Sequence, residues 1–347
     1  MKKKILSAVM ALAVVTIALA GCSSSSSDAK TDDKTEETTD TATENRGTVN
    51  VGFVQLVDMA DATAMYDGFT RTIEEAGLSD NIKIDYQDAA GDTGTMTTMI
   101  QSFVDNNYDL IVPMLTPPTQ AAVNIAGGDI PIIFMSVVDP VYSKIVPDWD
   151  SVDPNYLATG TSNTIPADLI IDTAMDITPI ADGQKICIMY NTSQNNAQCT
   201  MEAAAKYCDS IGVEYDVVGY ADVTDAVTQA QAFSKGQYAF VYVALDSIIA
   251  ANFNQLGAAL TELGIPSYGA ADAMTMGGAF CSYGVDYDTV GVMTANMVID
   301  WYNGKEIIDM PCQRYSDFTL VINKGVQESL GIELPAEYAD IATYVGE

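Results

Sequence analysis

Short apolar runs alternate with amphipathic helical stretches along most of this chain, and the alternation occurs twice. Residues 49–56 (VNVGFVQL) form a β-branched strand. Met65, Phe69, Ile73 and Ala76 follow at helical spacing, and Gly77 stops that helix. Residues 82–86 alternate as a strand, and Met96, Met99, Ile100, Phe103 and Val104 lie on one helix face. Residues 109–115 (DLIVPML) and 131–138 (PIIFMSVV) read as buried strands, with a helix starting near Thr116 between them. The order then repeats. Residues 185–190 (KICIMY) are a strand; Met201, Ala204, Ala205, Cys208 and Ile211 mark a helix ended by Gly212. A strand at 213–218, a helix at 224–234 and a strand at 238–244 (YAFVYVA) follow. Ile249, Phe253, Leu256, Leu260 and Leu263 form one helical stripe closed by Gly264, before strands at 265–269 and 279–283.

Strands alternating with helices of this length imply right-handed βαβ units and parallel sheets, and the doubling implies two α/β lobes. The irregular stretch 140–161, with Pro147 and Pro154, reads as the first crossing between them. Val290, Met293, Met297 and Trp301 predict a helix returning to the first lobe, and residues 318–322 (FTLVI) a strand in the second. The expected division is 47–161 plus about 286–310 for the first lobe, and 162–285 plus about 311–347 for the second.

The first 46 residues are not part of this pattern. Met1-Lys2-Lys3-Lys4 is a basic start, and residues 5–20 are an uncharged, mostly apolar run of 16, short for a spanning helix. Leu19-Ala20-Gly21-Cys22 resembles the lipobox of bacterial lipoproteins. That resemblance implies removal of residues 1–21, a diacylglycerol on the Cys22 thiol, and residence at the outer face of the cytoplasmic membrane. An ordinary secretory signal with a chance cysteine is the plain alternative. Residues 23–46 are Ser, Thr, Asp, Glu and Lys with hardly an apolar side chain, so 22–46 reads as a lipidated cysteine and a disordered tether. No later run approaches spanning length.

Charge and composition narrow the chemistry. The chain carries 47 acidic and 15 basic residues, a net charge of −32, and no histidine. Such a surface excludes nucleic-acid backbones and anionic lipid as partners reached through a basic patch. Without histidine there is no Ser-His-Asp triad, Cys-His dyad or imidazole metal site. Cys187, Cys199, Cys208, Cys281 and Cys312 are odd in number, so at least one thiol is free, and none has CxxC spacing. Cys187 and Cys281 sit in apolar strand-like runs and are expected in the core. No metal, cofactor or catalytic residue is expected.

Ligands of open parallel sheets bind beyond the carboxyl ends of the strands. The loops there contain Asp58, Thr116, Pro117, Thr119, Asp139, Asn191, Ser193, Asn196, Asp246 and Tyr283, the candidate ligand residues. They are rich in hydroxyls and amides and poor in Lys and Arg, Lys144 being the one basic residue near them. A phosphate would need Arg, Lys or a glycine-rich loop, and neither GxxxxGK[ST] nor a strand-following GxGxxG occurs. A zwitterion fits better, its carboxylate at helix N-termini and its ammonium on an aspartate such as Asp246. Structural roles compete at each position. Thr116 before Pro117 reads as a helix cap, as does Asp246 before Ser247. Asp139-Pro140 reads as a turn, residues 191–196 as a polar loop and Tyr283 as strand-end packing.

Several segments, in order, resemble one family. They are 53–58 (FVQLVD), 83–92 (KIDYQDAAGD), 109–122 (DLIVPMLTPPTQAA), 130–141 (IPIIFMSVVDPV), 188–198 (IMYNTSQNNAQ) and 317–335 (DFTLVINKGVQESLGIELP). The family is that of ABC-transporter substrate-binding lipoproteins that includes binders of tryptophan and other aromatic amino acids. The resemblance implies a type I periplasmic-binding-protein fold, two Rossmann-like lobes joined by three crossovers. It implies that Thr116 and its neighbours, Asp139, residues 191–196 and Asp246 line the cleft. Gln194, Ala197 and Leu245 stand where that family often has an acid, a hydroxyl and a threonine. The expected function is a monomeric, lipid-anchored solute-binding subunit of an ABC importer, partnered by a permease and its ATPase. Its ligand is an amine-bearing small molecule, an amino acid, with an aromatic side chain favoured by the family. A surface enzyme using paired carboxylates and a ligand-sensing domain are the alternatives that the sequence leaves open.

Overall fold

The computed structural model describes residues 45–57 and 59–346, so Cys22, the tether and Asp58 lie outside the described residues. In chain order, the first lobe is built from β1 (Val49–Gln55), α1 (Ala60–Glu75), β2 (Ile82–Asp88), α2 (Thr93–Asp105), β3 (Leu110–Pro113), α3 (Thr116–Ala126), β4 (Ile132–Phe134) and β5 (Ala158–Ser162). The second follows with α4 (Ala167–Ile177), β6 (Lys185–Asn191), α5 (Asn195–Ile211), β7 (Tyr215–Tyr220), α6 (Val223–Gln231), β8 (Tyr238–Val243), α7 (Ser247–Ala251), α8 (Phe253–Glu262), β9 (Ser267–Gly269), α9 (Asp272–Met276) and β10 (Cys281–Gly284). α10 (Tyr287–Tyr302) and β11 (Gln313–Arg314) return to the first lobe. β12 (Thr319–Asn323), α11 (Lys324–Leu330), α12 (Ala336–Ala339) and β13 (Thr343–Val345) finish the second.

The strand orders are β11-β5-β4-β3-β1-β2 and β13-β12-β10-β9-β8-β6-β7. Every pairing is parallel except β10 with β12. Both faces of each sheet are covered, and the side chains divide with the two-residue period of a strand. Val51 and Phe53 pack with residues of α1 and α10, Val54 with residues of α2 and α3. In the second sheet Phe240 and Tyr242 face α4 and α5, Val241 and Val243 face α6 and α8.

The return helix α10 is bound tightly. A Cβ on Gly68 would run into the Asp288 carbonyl, and one on Gly291 into the Met65 carbonyl, so these two glycines let α1 and α10 approach backbone to backbone. Arg71 on α1 donates to Asp288 on α10 through two nitrogens, at 2.9 and 2.6 Å. This pair holds the Asp288 carboxyl below its ordinary pKa.

Three differences from the sequence expectation have physical reasons. The stretch 140–161 is not a crossing, because it contains most of β5, an inner strand of the first sheet. That strand, ATGTS, lacks an apolar run because hydroxyls do its packing. Thr159 donates to the Met310 carbonyl at 2.7 Å, and Thr161 and Thr294 pair at 2.8 Å. The first crossing is therefore residues 163–166. The C-terminal boundary also moves: β11 pairs with β5, so the chain leaves the first lobe after Arg314 rather than near 310. Finally, the stripe from Ile249 to Leu263 is two helices broken at Asn252, whose side chain donates to the Ile248 carbonyl. The buried residues keep one register across the break, so periodicity alone did not reveal it.

Candidate functional site between the lobes

The carboxyl ends of both sheets meet where two crossings pass. The first crossing is fastened to the loop after β4: Ser162 and Thr164 both donate their hydroxyls to the Val138 carbonyl. Against it lies a cavity of about 20 Å³, room for one water-sized group. Asn163, Thr164 and Ile165 line it from the first crossing, Val285 and Tyr287 from the second, and Thr200, Leu245 and residues 270–272 from the second lobe. A larger pocket of about 220 Å³ adjoins it, sharing Thr164, Ile165 and Thr200 and reaching Asp139, Cys199, Tyr207 and Tyr242. No lysine or arginine lines either space.

Electrostatics single out two carboxylates. Asp272 opens α9 in the second lobe, and Asp61 lies in the first turn of α1 in the first. Burial raises the pKa of both, and the Asp61 charge raises Asp272 further. Burial also raises the Tyr287 phenol, and the charges of Asp61 and Asp272 add to the shift. Of the two, Asp272 lines the small cavity, whereas Asp61 is exposed and lines neither space. Three buried polar atoms among the described residues have no hydrogen-bond partner: Ser136 Oγ after β4, Asn163 Oδ1 and Tyr242 OH. Asn163 lines the cavity and Tyr242 the adjoining pocket. Unpaired buried polar atoms are rare and costly, although the Tyr242 hydroxyl lies close enough to Thr200 for a weak hydrogen bond. The small cavity offers carboxylate and amide acceptors without a cation, which suits an ammonium, a group that only donates. Both carboxylates shift in the same direction, whereas an acid–base pair needs shifts that diverge.

The residues expected from sequence divide into groups. Asn191 and Asp246 are brought together: Asn191 Nδ2 donates to Asp246 Oδ2 at 2.9 Å, and Ser193 donates to Asn191 Oδ1 from both its backbone nitrogen and its hydroxyl. Asp246 also accepts from Tyr220 OH and, at 2.8 Å, from the Ile248 backbone, which makes it the cap of α7. At 1% exposure and with this set of donors it lines neither space. Asn196 lies in the first turn of α5, its carbonyl accepting from the Thr200 hydroxyl. Asp139 lines the larger pocket and accepts from the backbone of Val141 and Tyr142, and burial together with Asp139 pushes the Cys199 thiol up to about 12.

Thr116, Pro117, Thr119 and Tyr283 line neither space. Leu115, not Thr116, is the residue before α3, and the Thr116 hydroxyl instead accepts from the Val138 backbone at 3.4 Å. Pro117 is exposed, and Thr119 turns back to the Leu115 carbonyl. Tyr283 is in the second-lobe core, its hydroxyl paired with Thr173 at 2.8 Å.

Sequence reading missed Asn163, Thr164, Asp272, Tyr287 and Tyr242. A polar SNT followed by Ile-Pro at 162–166 was the signal for the crossing. Asp272 follows β9 by three residues, and the carboxyl-end rule would have reached it. Tyr242 lies within an apolar strand and gave no signal.

Residues 50–345 match the family described as ABC transporter substrate binding protein. A protein named tyrosine-binding protein, from Clostridioides difficile strain R20291, is 29% identical over 333 residues, covering 95% of this chain and 93% of that protein. A ligand-free, open substrate-binding protein with adhesive properties from Clostridium difficile superposes with a TM-score of 0.74 at 28% identity, covering 86% of this chain and 99% of that one. An ABC domain from Streptococcus pneumonia in complex with L-Trp gives a TM-score of 0.71 at 25% identity, with the same coverages of 86% and 99%. Two largely parallel sheets joined by three crossings are the type I periplasmic-binding-protein architecture. With residues 50–345 matched, the chain belongs to the family of ABC transporter substrate-binding proteins.

Proposed function

We propose that this protein captures an amino acid, preferably aromatic, outside the cytoplasmic membrane and hands it to an ABC permease driven by its ATPase. Substrate-binding proteins of such transporters work outside the cytoplasm, and the lipobox-like Leu19-Ala20-Gly21-Cys22 supports anchoring through Cys22 as a monomer on a tether. The observation that carries the ligand class is the Asp272 carboxylate in a cation-free cavity with room for a water-sized group, with the charge of Asp61 from the other lobe acting on that carboxylate. The tyrosine and tryptophan attached to its relatives support the aromatic side chain.

In this reading the two carboxylates repel across the empty cleft and favour separated lobes. An ammonium at Asp272 offsets that repulsion, with Asn163 Oδ1 as a further acceptor. Ligand binding then shifts the population toward the closed form that the permease accepts. Asp246 serves the site indirectly, by fixing Asn191 and the start of α7. Calorimetry of the protein against amino acids, amines and sugars tests the ligand class. Binding of L-tyrosine or L-tryptophan without turnover supports it; tight binding of a sugar with no response to any amine rejects it. Cys22→Ala tests the anchor: the variant should leave the membrane fraction with its ligand affinity unchanged.

A further inference from the structure

Tyr315 reaches all three crossings between the lobes. It opens the third, residues 315–318, directly after β11. Its backbone nitrogen donates at 2.9 Å to the carbonyl of Ser162, the last residue before the first crossing. Its hydroxyl accepts from the Asp286 nitrogen in the second crossing at 3.2 Å and donates to the Asp317 carbonyl in the third at 2.5 Å. An oxygen that accepts and donates at once strengthens both bonds. The residue is 5% exposed, packs in the first-lobe core and meets the Phe318 ring edge-on at 5.3 Å. Phe318 and Val285 in turn pack against the cores of both lobes. A phenylalanine at 315 would keep all of this packing, so the hydroxyl serves the link and not the core. The small cavity depends on the same segments: Asn163, Thr164 and Ile165 belong to the first crossing, Val285 to the second, and Tyr287 follows it.

We propose that Tyr315 is a positioning residue that fastens the three crossings into one hinge, so that they bend together and the cavity walls they supply keep their spacing as the lobes swing. Tyr315 lines neither space and acts through Ser162 and Asp286. Without its hydroxyl the Asp286 N–H has no acceptor, and the second crossing shifts against the first.

Hydrogen exchange of the ligand-free full chain is the test, because each crossing carries one bonded amide: Thr164 on the Ser162 hydroxyl, Asp286 on the Tyr315 hydroxyl, and Tyr315 on the Ser162 carbonyl. In the parent these three amides should open with one free energy and one dependence on low denaturant, as a single cooperative unit. Tyr315→Phe should speed exchange at all three about 5- to 30-fold. Tyr108→Phe, which loses a phenol bond to Asp85 within the first lobe, should leave them unchanged. Calorimetry adds a second readout, which rests on the amino-acid reading of the cleft. Tyr315→Phe should weaken L-tyrosine and L-tryptophan by one common factor, about 3- to 10-fold, since a looser hinge loses preorganisation rather than a ligand contact. Acceleration confined to Asp286, unlike opening free energies in the parent, or unchanged affinity for both amino acids in Tyr315→Phe overturns the proposal. The parent measurement holds even where the variant fails to fold. Binding of neither amino acid by the parent rejects the amino-acid reading, and the exchange result then decides the hinge by itself.

Discussion

Replacing Asp272 by asparagine should weaken ligand binding and stabilise the empty protein. The amide keeps the size of the side chain and an oxygen to accept from the Ala273 backbone, now bonded at 2.8 Å. Only the charge goes. An ammonium about 4 Å from a carboxylate at an effective dielectric near 20 gains about 4 kcal/mol. Two effects offset part of this loss. The carboxylate no longer has to be desolvated, and its repulsion with Asp61 disappears. A net loss of about 2–3 kcal/mol remains, or roughly 30- to 150-fold in affinity. The same two offsets act without ligand, so the melting temperature of the empty variant should rise. Isothermal calorimetry with L-tyrosine and with its des-amino analogue reads the first effect, and thermal unfolding the second. The analogue should bind the parent weakly and the variant about equally weakly. Unchanged tyrosine affinity in Asp272→Asn, or a lower melting temperature with affinity retained, refutes the assignment of the ammonium to this carboxylate.

Acid should act on the same pair. Asp61 and Asp272 have folded pKa values above 3.8, so ligand affinity should begin to fall at a pH higher than an ordinary carboxylate would set, as calorimetry across the acid range will read. The sign for the empty protein is opposite: a carboxyl raised by folding favours the folded state when protonated, so these two groups add stability as pH falls through their folded pKa values. Gly291→Ala should cost about 1–3 kcal/mol, measured by denaturant unfolding, because its methyl meets the Met65 carbonyl and no side chain can yield. Burial pushes the Cys199 thiol up to about 12 and the Cys208 thiol up to about 11, so a disulfide reagent at neutral pH should react slowly with the native protein. All five described thiols should react in denaturant, and a sixth in protein taken from the membrane would refute lipidation of Cys22.

Much of the architecture was legible because burial on both faces forces apolar runs, and helices between them keep a 3.6-residue period. VNVGFVQL, KICIMY and YAFVYVA could hardly be anything but inner strands. β5 escaped because Thr159 and Thr161 satisfy their hydroxyls on residues about 130 to 150 positions away, a pairing with no local signature. α4 escaped because nothing in the reading assigned residues 167–177, although ADLIIDTAMDI buries Ile170, Ile171 and Ala174 on one face. The site was legible only as a region. Strand ends located the cleft, but whether Asp246 or Asp272 faces it depends on which hydrogen bonds each already makes, and Asn191 and Tyr220 claim Asp246 from other strands. Tyr242 was invisible because it sits within an apolar strand, where a tyrosine reads as core.

The route of the chain also bears on how the protein is made. The α1 face of the first sheet is covered by α10, which begins at Tyr287, and the far edge of that sheet waits for Gln313 and Arg314. A growing chain therefore carries the greasy side of its first domain uncovered through most of synthesis, and no early fragment has a finished core. Contacts so distant in sequence close late. The topology that ties the two halves together thus holds off compaction of the first lobe until nearly all of the chain has been made.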